Sequence, residues 1–160
     1  MNNKTRNITK AALIAALYVI LTYVTNMFGL ANGAIQVRIS EALTVLPYFT
    51  ASAVPGLFIG CLISNIITGC TAVDVIFGSL ATLVGAIGTR MLRRYKYLAP
   101  LPPILANVAI IPLVLMYAAG VDLGWLYLAG TIGAGEILSC GVLGIFLLRA
   151  VEKKAKFLFD

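Results

Sequence analysis

Nearly all of this chain is divided into apolar runs long enough, or almost long enough, to cross a bilayer, and its positive charge lies between them. Eleven of the twelve basic residues fall in three clusters: Lys4, Arg6 and Lys10; Arg90, Arg93, Arg94 and Lys96; Arg149, Lys153, Lys154 and Lys156. Only Arg38 stands apart. A membrane span takes about 20 apolar residues, so five or six helices use up 160 residues that are 61% hydrophobic. That leaves no room for a soluble catalytic or nucleotide-binding domain. The +6 net charge is then a topology signal and does not point to nucleic acid, because its clusters flank the apolar runs. The first run follows a basic start, as a signal peptide would. Residues 18–30 offer no small-residue cleavage site and more spans follow, so it reads as a retained helix.

The pattern predicts an all-α integral membrane protein, one domain over residues 1–160, with six transmembrane helices. Helix one covers about residues 8–28, with Asn7 or Thr9 as its N-cap. Residues 29–39, containing Asn32, Gly33, Gln36 and Arg38, are too polar to span and read as an ordered loop. Helix two, about 40–49, is short, with breaks marked by Pro47 and Pro55. Helix three covers 53–67 and helix four 73–91. Pro100, Pro102 and Pro103 precede helix five, about 104–119, and helix six runs from about 125 to 151. Six crossings with both termini inside put all three basic clusters on the cytoplasmic face, as the positive-inside rule requires. Five crossings, with helix two re-entrant, would split them. The two halves show no internal repeat.

Against this background the acidic residues are conspicuous. Glu136 lies in the middle of helix six, while Asp74 and Glu41 lie at the ends of helices four and two. Hydrocarbon solvates a carboxylate poorly, so an intramembrane acid marks a functional site by default. Glu136 stands about 20 Å from the cytoplasmic end of its helix, and Asn107 on helix five about 16 Å, so the two share a depth near the midplane. Pro112 deprives the Val108 carbonyl of its helical partner and adds an acceptor nearby. Glu41, Asp74, Asn107 and Glu136 thus form an acceptor-rich set on four helices, suited to a flat heterocycle with an amidine-like edge or to an amine. Phe77, Tyr117, Trp125 and Tyr127 are candidates for a stacking wall. Each has an ordinary alternative: Asp74 as a helix cap, Arg38 paired with Glu41, Asn107 as interhelical glue, Trp125 and Tyr127 as an interfacial belt, and Asp122 solvated in a turn.

With no histidine and three cysteines in no CxxC pair, neither His-based catalysis nor a metal site is expected. No cofactor motif is present, and no nucleophile–base pair suggests an enzyme. On helix one, Ala11 and Ala15 with Ala12 and Ala16 make two overlapping Ala-x-x-x-Ala pairs. Such a stripe serves either packing within the bundle or docking of another membrane subunit.

The segments Gln36-Val-Arg-Ile-Ser-Glu-Ala-Leu-Thr-Val-Leu-Pro47, Val54-Pro-Gly-Leu-Phe-Ile-Gly-Cys-Leu-Ile-Ser-Asn65 and Asp74-Val-Ile-Phe-Gly-Ser-Leu-Ala-Thr-Leu83 resemble the queuosine-precursor transporter family, QueT type. That family belongs to the substrate-binding S components of energy-coupling-factor transporters. The resemblance implies the six-helix S-component fold and a ligand site near the outer side, built from the first long loop and helices four to six. It implies queuine or a 7-deazaguanine precursor as substrate. It further implies partnership with a membrane coupling subunit, met through the helix-one alanines, and with two cytoplasmic ATPases that use the ATP. Location in a prokaryotic cell membrane follows. On this reading Glu136 and one of Glu41 or Asp74 hold the ligand's donors, Asn107 reads the remaining ring edge, and Arg38 orders the first loop as a lid. The rival reading is a stand-alone proton- or cation-coupled carrier with Glu136 and Asp74 as ion sites.

Overall fold

The computed structural model describes residues 2–29, 37–118 and 120–154. Every regular element among them is helical: α1 (Asn3–Met27), a 3-10 helix (Ile39–Tyr48), α2 (Ala53–Ile67), α3 (Ala72–Met91), a single 3-10 turn (Lys96–Leu98), α4 (Leu101–Tyr117), α5 (Trp125–Glu136), a π-helical stretch (Ile137–Leu143) and α6 (Gly144–Glu152). Four helical stretches are long and apolar enough to cross a membrane: Asn3–Met27, Ala72–Met91, Lys96–Tyr117 and Trp125–Glu152, with mean hydropathies of 1.7 to 2.0. The chain is therefore a multi-pass membrane protein. Most of the loop expected over 29–39 lies outside the described residues.

Polarity is arranged inside out. Ile20, Ile59, Ile76, Val84, Leu105, Leu126 and Phe146 face outward, whereas Thr22, Ser40, Glu41, Thr44, Ser64, Asn65, Thr82, Asn107, Glu136 and Ser139 are buried. Lipid solvates the apolar exterior, and polar groups stay where other polar groups can meet them.

Local chemistry explains the helix starts. Asn2 caps α1 by accepting from the Lys4 amide (3.4 Å), so the helix begins earlier than an Asn7 or Thr9 cap implies. Thr71 caps α3 by accepting from the Asp74 amide. The prolines expected to precede helix five form its first turn, where a missing amide hydrogen costs nothing. A Cβ at Gly85 or Gly88 would lie 2.6 Å from the Pro103 Cα or 2.5 Å from the Pro102 Cβ, so these glycines let α3 and α4 meet at that turn.

Besides the single turn at Lys96–Leu98, two longer segments depart from α geometry, and they pack on each other. The helix expected over 40–49 is wound as a 3-10 helix and is buried from Ser40 to Pro47. At about 2.0 Å of rise per residue, its ten residues reach about 20 Å, where an α-helix would reach about 15 Å. The final long helix runs unbroken from Trp125 to Glu152, as expected, but is widened to π geometry at 137–143. There Cys140 meets Thr44 (Sγ to Oγ1, 3.4 Å), and a Cβ on Gly144 would stand 2.9 Å from Val45.

The basic clusters gather at one end of the bundle. Lys96 pairs with Glu152, Arg149 lies over the Tyr97 ring at 5.9 Å, and Arg90 donates to the Pro47 carbonyl at 3.1 Å. Lys4 shares a groove with Ala51, Ser52 and Pro55, just beyond that carbonyl.

Candidate functional site

The 3-10 winding builds the site. In a 3-10 helix residues three apart eclipse one another, so Arg38, Glu41 and Thr44 fall in one polar line. Glu41 is 1% exposed and lines a cavity with Arg38, Gly78, Thr82, Asn107, Ile111, Ile132 and Glu136. The cavity is narrow, with about 20 Å³ of room for the centre of a water molecule. A second, wider chamber, about 260 Å³ on the same measure, adjoins it, lined by Thr22, Asn26, Asn65, Thr68, Cys70 and Asp74, and sharing Arg38 and Ile111 with the first. Arg38 therefore stands between an outer chamber with Asp74 and an inner one with the two glutamates.

Hydrogen bonds order the inner chamber. Asn107 Nδ2 donates to Glu136 Oε1 at 2.9 Å, and the Cys140 thiol lies 3.1 Å from Oε2 of the same carboxylate. Cys140 Sγ is also 3.4 Å from the Glu41 carbonyl oxygen, tying the π segment to the 3-10 helix. The Tyr18 hydroxyl, from α1, donates to Glu41 Oε1. Glu41 Oε2 and Ser139 Oγ are buried with no hydrogen-bond partner among the described residues. Thr22 donates to Ser40 at 2.8 Å, extending the Tyr18 side of the network.

The arrangement suits a solute that brings N–H donors or positive charge to two carboxylates, with an amide and a guanidinium to read its acceptors. A cation is a second chemical possibility, because Glu41, Glu136 and Cys140 each bring one potential ligand atom within 4.8 Å of the others. Sequence spacing does not show this cluster, which joins residues 41 and 140. Arg38 on the same wall already supplies positive charge, which favours a partner that also offers hydrogen-bond acceptors.

Of the residues singled out from sequence, Arg38, Glu41, Asn107 and Glu136 come together, and Asp74 lies in the adjoining chamber. No direct Arg38–Glu41 ion pair forms among the described residues, where Lys96–Glu152 is the pair within 4 Å. Asp74 carries its amide on the Thr71 cap and turns its carboxylate to the outer chamber. Phe77, Tyr117 and Trp125, at 47%, 84% and 40% exposure, line neither chamber. All three rings are exposed on the surface of the bundle. Of the helix-one alanines, Ala11 and Ala15 pack inward: a Cβ at Gly56 would meet the Ala11 carbonyl at 2.6 Å, and one at Gly60 the Ala15 carbonyl at 3.0 Å. Ala12 and Ala16 face outward.

Sequence reasoning missed Tyr18, Thr82 and Cys140. A signal existed for two of them: Tyr18, Thr22 and Thr25 recur at helical spacing, and Cys140 is one turn beyond Glu136. Thr82, which lies on the cavity wall and donates to Cys61 Sγ at 3.3 Å, stands in the Asp74–Leu83 segment that carries the family resemblance, but nothing in that segment marks it as a wall residue.

Comparison with known proteins places this architecture. The family model described as QueT transporter matches residues 8–153. The chain is 41% identical over 95 residues to a protein of Lactococcus lactis subsp. cremoris (strain MG1363) named queuosine precursor transporter QueT. That match covers 59% of this chain and 56% of the relative, so the chain spans little more than half the length of the relative it matches. No solved structure matches the chain.

Proposed function

Because the chain belongs to the QueT transporter family, we propose that it is a membrane-embedded binding subunit that captures a queuosine precursor, queuine or a 7-deazaguanine, for uptake into the cell. The observation that carries this reading is the buried pair Glu41 and Glu136 facing one cavity with Asn107 and Arg38. Keeping two carboxylates in a bilayer costs several kcal/mol unless something repays it. A guanine-like edge presents two adjacent N–H donors to one carboxylate, and its carbonyl and ring nitrogen suit Asn107 and Arg38. The named relative supports the substrate class.

Six crossings complete the proposal. The 3-10 helix begins at the chambers and ends where Arg90 holds the Pro47 carbonyl, and α2 returns over about 22 Å to the rim of the outer chamber. Both then cross despite their short length, the basic end faces the cytoplasm, and Asp74 faces outside. Uptake depends on a membrane coupling subunit and two cytoplasmic ATPases, in the manner of an energy-coupling-factor importer. With about 20 Å³ accessible, the inner chamber must widen to admit a ring. The 3-10 helix that carries Glu41 and the π stretch that follows Glu136 are the non-α segments through which it does so.

The test is direct binding of 7-deazaguanine and its 7-aminomethyl derivative to the purified chain in lipid nanodiscs, with adenine as control. Saturable binding of the deazaguanines but not of adenine is expected. The Glu41, Glu136 and Cys140 cluster favours, as a second reading, an ion-coupled carrier. Uptake by this chain alone in vesicles, driven by an ion gradient, would establish that rival and remove the ATPase partners.

A further inference from the structure

We infer that Glu41, rather than Glu136, supplies the carboxylate that receives the ligand's N–H donors, and that Tyr18 is a positioning residue that holds Glu41 for this purpose. The inference rests on the reading of the inner chamber as a solute site. Glu136 has a protein group at each oxygen: Asn107 Nδ2 donates to Oε1 at 2.9 Å, and the Cys140 thiol, whose one hydrogen is shared with the more distant Glu41 carbonyl, lies 3.1 Å from Oε2. Glu41 is served on one: Tyr18 donates to Oε1, and Oε2 has no donor among the described residues. Both glutamates line the cavity, and Glu41 is the more deeply buried, at 1% exposure against 8%.

A buried carboxylate oxygen without a donor bears the desolvation cost of its group in full, and a ligand N–H ends that cost. At Glu136 each oxygen already has one partner, so the same N–H relieves a smaller cost there. Each carboxylate oxygen accepts two bonds, so a flat edge with two N–H donors can take Oε2 together with the second lone pair of Oε1, leaving Tyr18 in place. Charge-assisted bonds of this kind are the strong ones.

Tyr18 suits a holding role. Its ring is 1% exposed, and its Cβ abuts Gly60, where an added Cβ would come within 2.8 Å. The hydroxyl cannot swing away without moving α1, so it fixes the carboxylate's rotation and sets where Oε2 points. Glu136, by contrast, is a fixed wall: its bonds tie α4 to the π segment.

The experiment titrates 7-deazaguanine into the full chain in nanodiscs for wild type, Glu41→Gln, Glu136→Gln, Tyr18→Phe and the Tyr18→Phe/Glu41→Gln double variant. Glu41→Gln is expected to weaken binding about a hundredfold and Glu136→Gln less than about tenfold. Tyr18→Phe, which keeps the ring, is expected to weaken it about tenfold, and that loss should vanish in the Glu41→Gln background, where a role of the hydroxyl independent of Glu41 would leave it intact. A loss in Glu136→Gln equal to or greater than that in Glu41→Gln overturns the assignment while leaving the solute site standing. A Tyr18→Phe loss that persists in the double variant overturns the positioning role. Should Glu41→Gln fail to fold, the Tyr18→Phe single variant decides, and wild-type affinity in it refutes the inference. Absence of deazaguanine binding in wild type instead sinks the functional reading beneath it.

Discussion

One methyl group added at Gly60 tests how tightly α1 is fitted to the site. The Cβ of Gly60→Ala would stand 2.8 Å from the Tyr18 Cβ, 3.0 Å from the Ala15 carbonyl oxygen and 3.1 Å from the Ala15 Cα. Ordinary contact begins at about 3.4 Å, so the closest approach is about 0.6 Å too short (3.4 less 2.8). None of these atoms is the far end of a flexible side chain, so α1 itself must retreat from α2. Overpacking of this kind costs about 1–3 kcal/mol, offset by up to about 1 kcal/mol for replacing a helical glycine with alanine. The net expectation is a destabilisation of about 1–2 kcal/mol. Retreat also draws the Tyr18 hydroxyl from Glu41, so deazaguanine affinity falls with stability. Gly130→Ala is the control, because its Cβ meets nothing within 4 Å. Thermal unfolding in nanodiscs and ligand titration of both variants check the outcome. A Gly60→Ala protein as stable as Gly130→Ala, with wild-type affinity, would refute the close fit of α1 and its link to Glu41.

Other expectations follow from single contacts. Cys70, half-buried between α2 and α3, should be labelled from outside by a membrane-impermeant maleimide, while the buried Cys61 and Cys140 stay protected. Burial, with Asp74 nearby, raises the Cys70 thiol above its ordinary range, so labelling should be slow at pH 7 and accelerate as pH rises. Labelling from the cytoplasmic side alone would reverse the proposed orientation. Thr89→Val removes a buried bond to the Ala99 carbonyl (2.8 Å), and unfolding should show a loss of about 1–2 kcal/mol. Phe77→Ala and Tyr117→Ala, on the outer surface, should leave ligand affinity within about twofold. A tenfold loss in either would restore the aromatic wall.

How much was legible beforehand depended on which physical rule governed each element. Residues 53–67 were expected as a helix and form α2, because an apolar run with Pro55 in its first turn and the Thr68-Gly69 turn at its end leaves a bilayer segment no other way to satisfy its backbone. The 3-10 winding of 39–48 and the π stretch at 137–143 were not legible. Both depend on how Thr44 and Val45 pack against Cys140 and Gly144, residues roughly a hundred positions away in sequence. The acids were legible because charge in an apolar run is costly wherever it sits. The aromatics were ambiguous because a tyrosine suits a ligand wall and a bilayer surface equally well.

Local cost alone thus determined that this is a helical membrane protein with carboxylates held inside it. Hydrocarbon penalises unpaired backbone and charge at every position, whatever the neighbours do. Only the tertiary structure decided which oxygen has a donor. That Tyr18 serves Glu41, that Asn107 and Cys140 serve Glu136, and that Ala11 and Ala15 turn inward onto Gly56 and Gly60 are matters of distance between helices. Hydrogen bonds and close packing are lost within an ångström or so. Distances of that size are set by the assembled bundle and by no single segment of it.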